Sequence, residues 1–245
     1  MPENKRKILI LVEGAKTDTA LMARLLAIYG IDAQYKIVSY CTNIYTLYSE
    51  MFVQSDPSVM DLLQLLKARE PASEKKPIFD TTYTDVLLIF DLDPQAPDFS
   101  PEKIRQMAEY FVESSDMGKL YLNYPMVESF YHMSSIPDDR YNDYVATLDE
   151  LQAGTYKIRV NRENRNHDYR KFAVNKEECN VVIQQNINKA RHIIHEEPNL
   201  ECIPEQAHIL EAQLALLSKE YKVAVLSTCP FFISDYSSTL IHNKQ

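Results

Sequence analysis

Residues 8–14 read ILILVEG, and residues 86–93 read VLLIFDLD. Each is an aliphatic run that ends in acid: Glu13 closes the first, while Asp91 and Asp93 close the second. Unbroken Ile, Leu and Val without polar alternation is the pattern of a strand covered on both faces, as in a parallel sheet. After Glu13-Gly14, the apolar residues Leu21, Met22, Leu25, Leu26 and Tyr29 recur at helical spacing. Thr17 or Asp18 can cap that helix and Gly30 can stop it. The stretch therefore reads as strand, short loop and helix.

Working outward, residues 33–39 form a second strand candidate, and residues 43–52 and 58–69 are helical in pattern. Residues 70–82 carry two prolines and several charges and read as a surface linker. The strand at 85–90 leads through Asp91-Leu92-Asp93-Pro94 to a helix at 101–113 with Pro101 in its first turn. A short strand follows at 119–123. Alternating strands and helices predict an α/β fold, a Rossmann-like, mostly parallel sheet flanked by helices. Ligands in such sheets bind beyond the carboxyl ends of the strands, where these acids stand. Past residue 135 the texture changes: 138–152 is helical in pattern, 157–176 is basic, 176–196 and 205–221 are long helices, and 223–227 is a returning strand. The expected organisation is a catalytic core over 1–135 and a mainly helical extension over 136–245.

The composition fits one large α/β domain or a core with an extension: 245 residues, 45% hydrophobic. No run of about 18 apolar residues occurs and the N-terminus lacks a signal-peptide pattern, so a cytoplasmic protein with no membrane partner is expected. Cys41, Cys179, Cys202 and Cys229 stand far apart without a CxxC pair, which suits reduced, mostly buried thiols. The net charge of -9 argues against a uniformly basic nucleic-acid-binding surface. Residues 157–176 run the other way, with seven Lys or Arg against two acids, a local +5. Arg159, Arg162, Arg165, Arg170 and Lys171 are interleaved there with Asn, His, Tyr and Phe. That mixture suits phosphate contacts and base stacking; the plainer reading is a solvated basic loop.

Asp91 and Asp93 are two apart, so a continuing strand would point both to one face and let them share a hard cation. Mg²⁺ suits such a pair, with Mn²⁺ as a substitute, because it takes one or two carboxylates, several waters and a substrate phosphate. Glu13 would join the metal shell or act as a general base. Without a cation, gathered carboxylates would be driven toward protonation. The plainer reading is that acids after strands cap helices.

LVEGAKTDTALMARLL and VLLIFDLDP resemble the two signature motifs of the TOPRIM domain, the magnesium-dependent module of bacterial primases, topoisomerases and OLD-type nucleases. The resemblance spans residues 7–135 and implies that Glu13, Asp91 and Asp93 carry metal-dependent chemistry. NYPMVESFYH is similar to the Asn-Pro-x-x-Glu pattern of RloB-like and abortive-infection TOPRIM proteins, which adds Glu128 with Tyr124 as an inserted residue. Departing from the pattern, Pro94-Gln95-Ala96-Pro97-Asp98 replaces the acid or glycine that often follows the DxD, so a second metal position stays open. Asp98 reads more simply as a loop acid or as the cap of the helix at Pro101. Lys16, in the strand–helix loop, would meet a phosphate near a helix N-terminus.

Other constellations carry less. His192 and His195 share a helix face beside Glu196 and Glu197 without a third ligand, and positive charge there complements the helix dipole. His132 reads as a partly buried histidine. Ser129 and Ser134 have no GxSxG setting. The expected function is a Mg²⁺-dependent nuclease acting on DNA or RNA, and the resemblance implies a bacterial anti-phage effector held by a regulatory or sensor protein. The alternatives are a non-cleaving regulatory module that binds metal or nucleic acid, and a primase-like nucleotidyl transferase.

Overall fold

The computed structural model describes residues 6–31, 34–53, 60–196 and 202–236. The two aliphatic runs are strands β1 (Lys7–Val12) and β3 (Asp85–Asp91). They pair in parallel, with Ile8 opposite Asp85 and Val12 opposite Ile89. β2 (Gln34–Ser39) lies parallel to the outer side of β1, and β4 (Lys119–Tyr124) parallel to the outer side of β3. A two-residue strand, β7 (Leu226–Ser227), closes the far edge antiparallel, giving a five-stranded sheet in the order β2-β1-β3-β4-β7. Ile8 to Val12 have no exposed surface, which is why neither run alternates with polar residues. Each fully buried aliphatic side chain contributes about 1.5–3 kcal/mol, so this core fixes the positions of both acid-bearing strand ends.

The crossover after β1 is helix α1 (Thr17–Tyr29), stopped by Gly30 in the left-handed conformation at φ 56°. Its N-cap is Lys16, with no side-chain cap bond, so neither Thr17 nor Asp18 serves as the expected cap. The pattern over 43–52 becomes α2 (Ile44–Tyr48), capped by Asn43, and continues as a π-turn over Ser49–Val53. Of 58–69, α3 (Leu62–Arg69) is observed, capped by Asp61; the start of that expectation lies outside the described residues. The expected linker contains a short 3₁₀ turn, Lys76–Asp80, which buries Phe79. α4 (Pro101–Tyr110) is shorter than expected and capped by Ser100.

The extension departs further from its sequence pattern. Residues 138–152 hold a single 3₁₀ turn (Tyr141–Asp143), strand β5 (Val145–Thr147) and helix α5 (Leu148–Gln152), not one helix. β5 pairs antiparallel with β6 (Lys222–Ala224), a partner so distant in sequence that no local pattern announces it. The returning strand at 223–227 is therefore split: β6 joins β5, Val225 donates its N–H to the Tyr144 carbonyl, and β7 joins the main sheet. The basic segment begins as α6 (Tyr156–Glu163), and the two long helices are α7 (Lys176–Ile193) and α8 (Gln206–Glu220). α8 lies against α4 and β4. The final described element is α9 (Phe232–Tyr236). Among the described residues no helix is long and apolar enough to cross a membrane.

Candidate functional site

The carboxyl edge of the sheet gathers acid. Glu13 follows β1, and its Oε2 accepts the backbone N–H of Asp91 at 3.2 Å, so the two strand ends are tied together through this carboxylate. Asp91 closes β3 and is buried; its Oδ1 accepts from Asn123 Nδ2 at 3.2 Å. β3 ends there. Leu92 is fully buried and Asp93 turns the chain at φ 43°, a left-handed conformation that Asp tolerates better than most residues. The premise that a continuing strand aims both aspartates at one face is thus overturned. Asp93 reaches the cluster from a turn, with its N–H on the Pro125 carbonyl and Gln95 Nε2 donating to its Oδ1 at 2.9 Å.

Burial and neighbouring charge raise the proton affinity of these groups. Burial, and then the charge of Asp93, push Glu13 from 4.5 up to about 8, against the bond from the Asp91 amide. Burial first, and then Glu13 and Asp93, hold Asp91 well above the carboxylate range. Asp93 is raised by burial, against Gln95 and Lys157. A fourth acid belongs to the group: Asp18, 5% exposed in the first turn of α1, is raised to about 6, chiefly by burial. Its carboxylate lies where a side chain on Gly14 would go: a Cβ there would stand 2.4 Å from Asp18 Oδ2. Glu128, on the 3₁₀ turn after β4 (Val127–Tyr131), completes the cluster through its charge on Asp18, Asp91 and Asp93.

Among the described residues one cation pairs with the cluster. Lys157, in the first turn of α6, places Nζ 3.2 Å from Glu128 Oε1, and its charge favours ionised Glu13, Asp18 and Asp93. Its side chain is 60% exposed, so the ammonium sits at the mouth. Lys16 is exposed on the loop and is not the lysine that pairs with the acids. Asp98 accepts from Asn43 Nδ2 at 3.2 Å and adds its charge to Asp93, whereas Ser100 caps α4; the expected capping role for Asp98 is corrected.

Behind Asp91 runs a buried chain of hydrogen bonds into the extension. Asn123 Oδ1 accepts from Ser227 Oγ at 3.0 Å, the Ser227 N–H donates to Asn186 Oδ1 at 2.8 Å, and Tyr141 donates to the same oxygen at 2.7 Å. Lys189, fully buried and lowered by burial to about 7, donates to the Tyr141 and Tyr144 carbonyls. Asn123, Asn186 and Ser227 have no exposed surface. β7 thus contributes to the orientation of a carboxylate on β3.

The basic segment is largely neutralised by its neighbours. Arg159 pairs with Glu150, Arg162 with Glu163, Arg165 with Glu178 and Arg170 with Asp168, at 2.7–3.1 Å. Arg162 and Arg170 remain more than 70% exposed, and Lys171 is exposed without an ion pair among the described residues. His132 is buried between Tyr156 and Glu163 and pushed down to about 4 by burial; it braces α6 as an uncharged ring. Ser129 and Ser134 bond to Leu226 O and Asp138, both structural roles. Of the histidine pair's neighbours, Glu197 lies outside the described residues.

Among the described residues no three His, Cys, Asp or Glu side chains form a ready-made metal-binding group. The donor chemistry nevertheless fits a hydrated hard cation, which needs one or two carboxylates and keeps its own waters. Asp18 Oδ1 and Glu128 Oε2 are buried with no hydrogen-bond partner, and acceptors left in that state are what such an ion or its waters satisfy. Sequence reasoning missed Asp18 and Lys157. Asp18 was legible as the buried position of the α1 stripe next to Leu21 and Met22, whereas Lys157 was one of seven basic residues with nothing local to distinguish it.

No family model, no curated protein and no solved structure matches the chain. Fold and site define a class: an α/β protein compatible with a Rossmann-like fold, with a mostly parallel five-stranded sheet and a carboxylate cluster at its carboxyl edge.

Proposed function

We propose that this protein is a Mg²⁺-dependent phosphodiester hydrolase of the TOPRIM kind, a nuclease acting on DNA or RNA. One observation carries the reading: Glu13, Asp18, Asp91 and Asp93, with the charge of Glu128 beside them, are gathered at the carboxyl edge of a parallel sheet, where burial and then neighbouring charge raise the proton affinity of the first four. Such a cluster is costly to the fold and is a place where a cation and a phosphate would be accommodated together. Asp91 and Asp93, with Glu13 or Glu128, would hold the ion, which when bound supplies charge neutralisation and polarises a phosphate oxygen. Glu13 is the carboxylate placed to serve as general base. With Oε2 fixed by the Asp91 amide, Oε1 is the atom that takes a proton from the attacking water. Lys157 offers its ammonium to a phosphate oxygen at the mouth, while Asn123 and Gln95 keep Asp91 and Asp93 from turning away. Arg162, Arg170 and Lys171 are the exposed cations for the rest of the strand. The resemblance to abortive-infection effectors extends the proposal to anti-phage defence under the control of a partner protein.

A second reading, a module that binds metal or nucleic acid without cutting, draws on Lys157, whose ammonium already pairs with Glu128 at the mouth of the cluster. Incubation with plasmid, single-stranded DNA and total RNA, in Mg²⁺ or Mn²⁺ and with Asp91→Ala as control, separates the two. Metal-dependent cleavage lost in the variant supports the hydrolase. Ion binding without cleavage of any of the three favours the module, and product from nucleoside triphosphates would instead indicate a nucleotidyl transferase.

A further inference from the structure

Beside the acid cluster lies a cavity of ≈ 590 Å³ between β2, α3 and the 3₁₀ turn that buries Phe79. It begins at Ala15, two residues past Glu13, and includes Cys41, whose N–H donates to the Glu13 carbonyl at 3.0 Å. The backbone of Glu13 therefore borders the cavity through Cys41. Ile37, Leu66, Ile78 and Phe79 make its apolar lining, and Arg69 and Lys75 supply positive charge against one acid, Glu70. Arg69 pairs with Glu50, its guanidinium carbon lies 4.4 Å from the centre of the Tyr40 ring, and its side chain, 35% exposed, lines the cavity.

We propose that this cavity binds one unstacked nucleotide of a single strand, the base stacking on Arg69 against the apolar lining and an adjacent phosphate meeting Lys75. The inference rests on the phosphodiesterase reading, since the backbone of Glu13 borders the cavity, and it adds the substrate class: a strand whose bases can leave the stack. The volume lies in the range of small-ligand sites, about 300–1,000 Å³. Guanidinium planes and aromatic rings are what bind splayed bases without regard to sequence. A duplex keeps its bases paired and offers none to such a cavity.

Cys41 reports occupancy. It is exposed in the cavity lining, at φ 61°, and Cys202 is the other exposed thiol, while Cys179 and Cys229 are buried. Alkylation by iodoacetamide is followed at each cysteine by mass spectrometry in EDTA, on the full chain carrying Asp91→Asn, with a single-stranded deoxythymidine octanucleotide, its RNA counterpart and a blunt duplex as probes. At about ten times the dissociation constant, a single strand should slow Cys41 roughly tenfold and leave Cys202 unchanged, with no effect of the duplex. Lys75→Glu, an exposed substitution that leaves the apolar lining intact, should remove the protection. Unchanged Cys41 reactivity with both single strands, equal protection by duplex, or protection that survives Lys75→Glu would overturn the proposal. Because neither cleavage nor metal enters the readout, a protein that never cuts can still pass, and an active nuclease can still fail.

Discussion

Glu13→Gln tests the electrostatic reading of the site without reference to turnover. Gln keeps an acceptor for the Asp91 N–H and removes the charge. Glu13 is raised from 4.5 to about 8 in the fold, mainly by burial. A carboxyl whose folded value lies above its unfolded value costs nothing below the unfolded value, and its penalty grows as pH rises from 4.5 toward 8. The full interval corresponds to about 5 kcal/mol. Glu13 is partly exposed and shares its penalty with Asp91 and Asp93, so about 2–3 kcal/mol is the reasonable gain for the variant at pH 8. For a chain of this size that is about 5–10 °C in melting temperature. Thermal unfolding in EDTA, followed by circular dichroism from pH 5 to 9, should show the wild type losing stability as pH climbs and the variant losing much less. Added Mn²⁺ should stabilise the wild type at pH 8 and stabilise Glu13→Gln less. A variant that melts at or below the wild-type temperature at pH 8 in EDTA would show that Glu13 carries no repulsive charge worth removing.

Two other substitutions probe the neighbours of that carboxylate. Lys157→Met removes the ammonium that offsets the acids at the mouth. It should lower stability in EDTA at pH 8 by about 0.5–1 kcal/mol, the scale of a partly exposed pair, and tighten Mn²⁺ binding measured by calorimetry, since the ion no longer displaces a resident cation; weaker binding would contradict this. Ser227→Ala breaks the buried chain behind Asp91, leaving the Asn123 Oδ1 unpaired, and should cost about 1–3 kcal/mol in urea unfolding. The same change should weaken Mn²⁺ binding, which a purely local packing defect far from the ion would not do.

The sequence carried the β1–α1 and β3 units because their signals are local: unbroken aliphatic runs, then a 3.6-residue stripe ending at Gly30. The acids at their tips were legible for the same reason, since where a strand ends in a parallel sheet is where chemistry is exposed. What escaped was everything decided by distant pairing. β5 takes its conformation from β6, and the split of 223–227 between two sheets follows from which strands lie beside each half. The direction of Asp93 did not follow from the Asp-Leu-Asp spacing, because β3 ends at Asp91 and the chain turns there, with Leu92 buried and the Asp93 N–H on the Pro125 carbonyl. The arginines at 157–176 read as free charge because the acids that pair with Arg159 and Arg165, Glu150 and Glu178, lie outside that window.

The same accounting explains why the extension matters to the site. Five carboxylates at one sheet edge repel one another, and a fold retains such an arrangement only when something else holds the groups in place. Here two of the restraints come from beyond residue 135: Lys157 reaches the acids from α6, and Ser227 orients Asp91 through Asn123. Lys157 can offset one charge of the cluster. The remainder stays as raised proton affinity on Glu13, Asp18, Asp91 and Asp93, a state that protonation relieves at low pH and that a divalent ion would relieve at neutral pH. Those two ways of relieving the repulsion compete, so proton release on adding Mn²⁺ should be larger at pH 7 than at pH 9, where less of Glu13 is protonated to begin with.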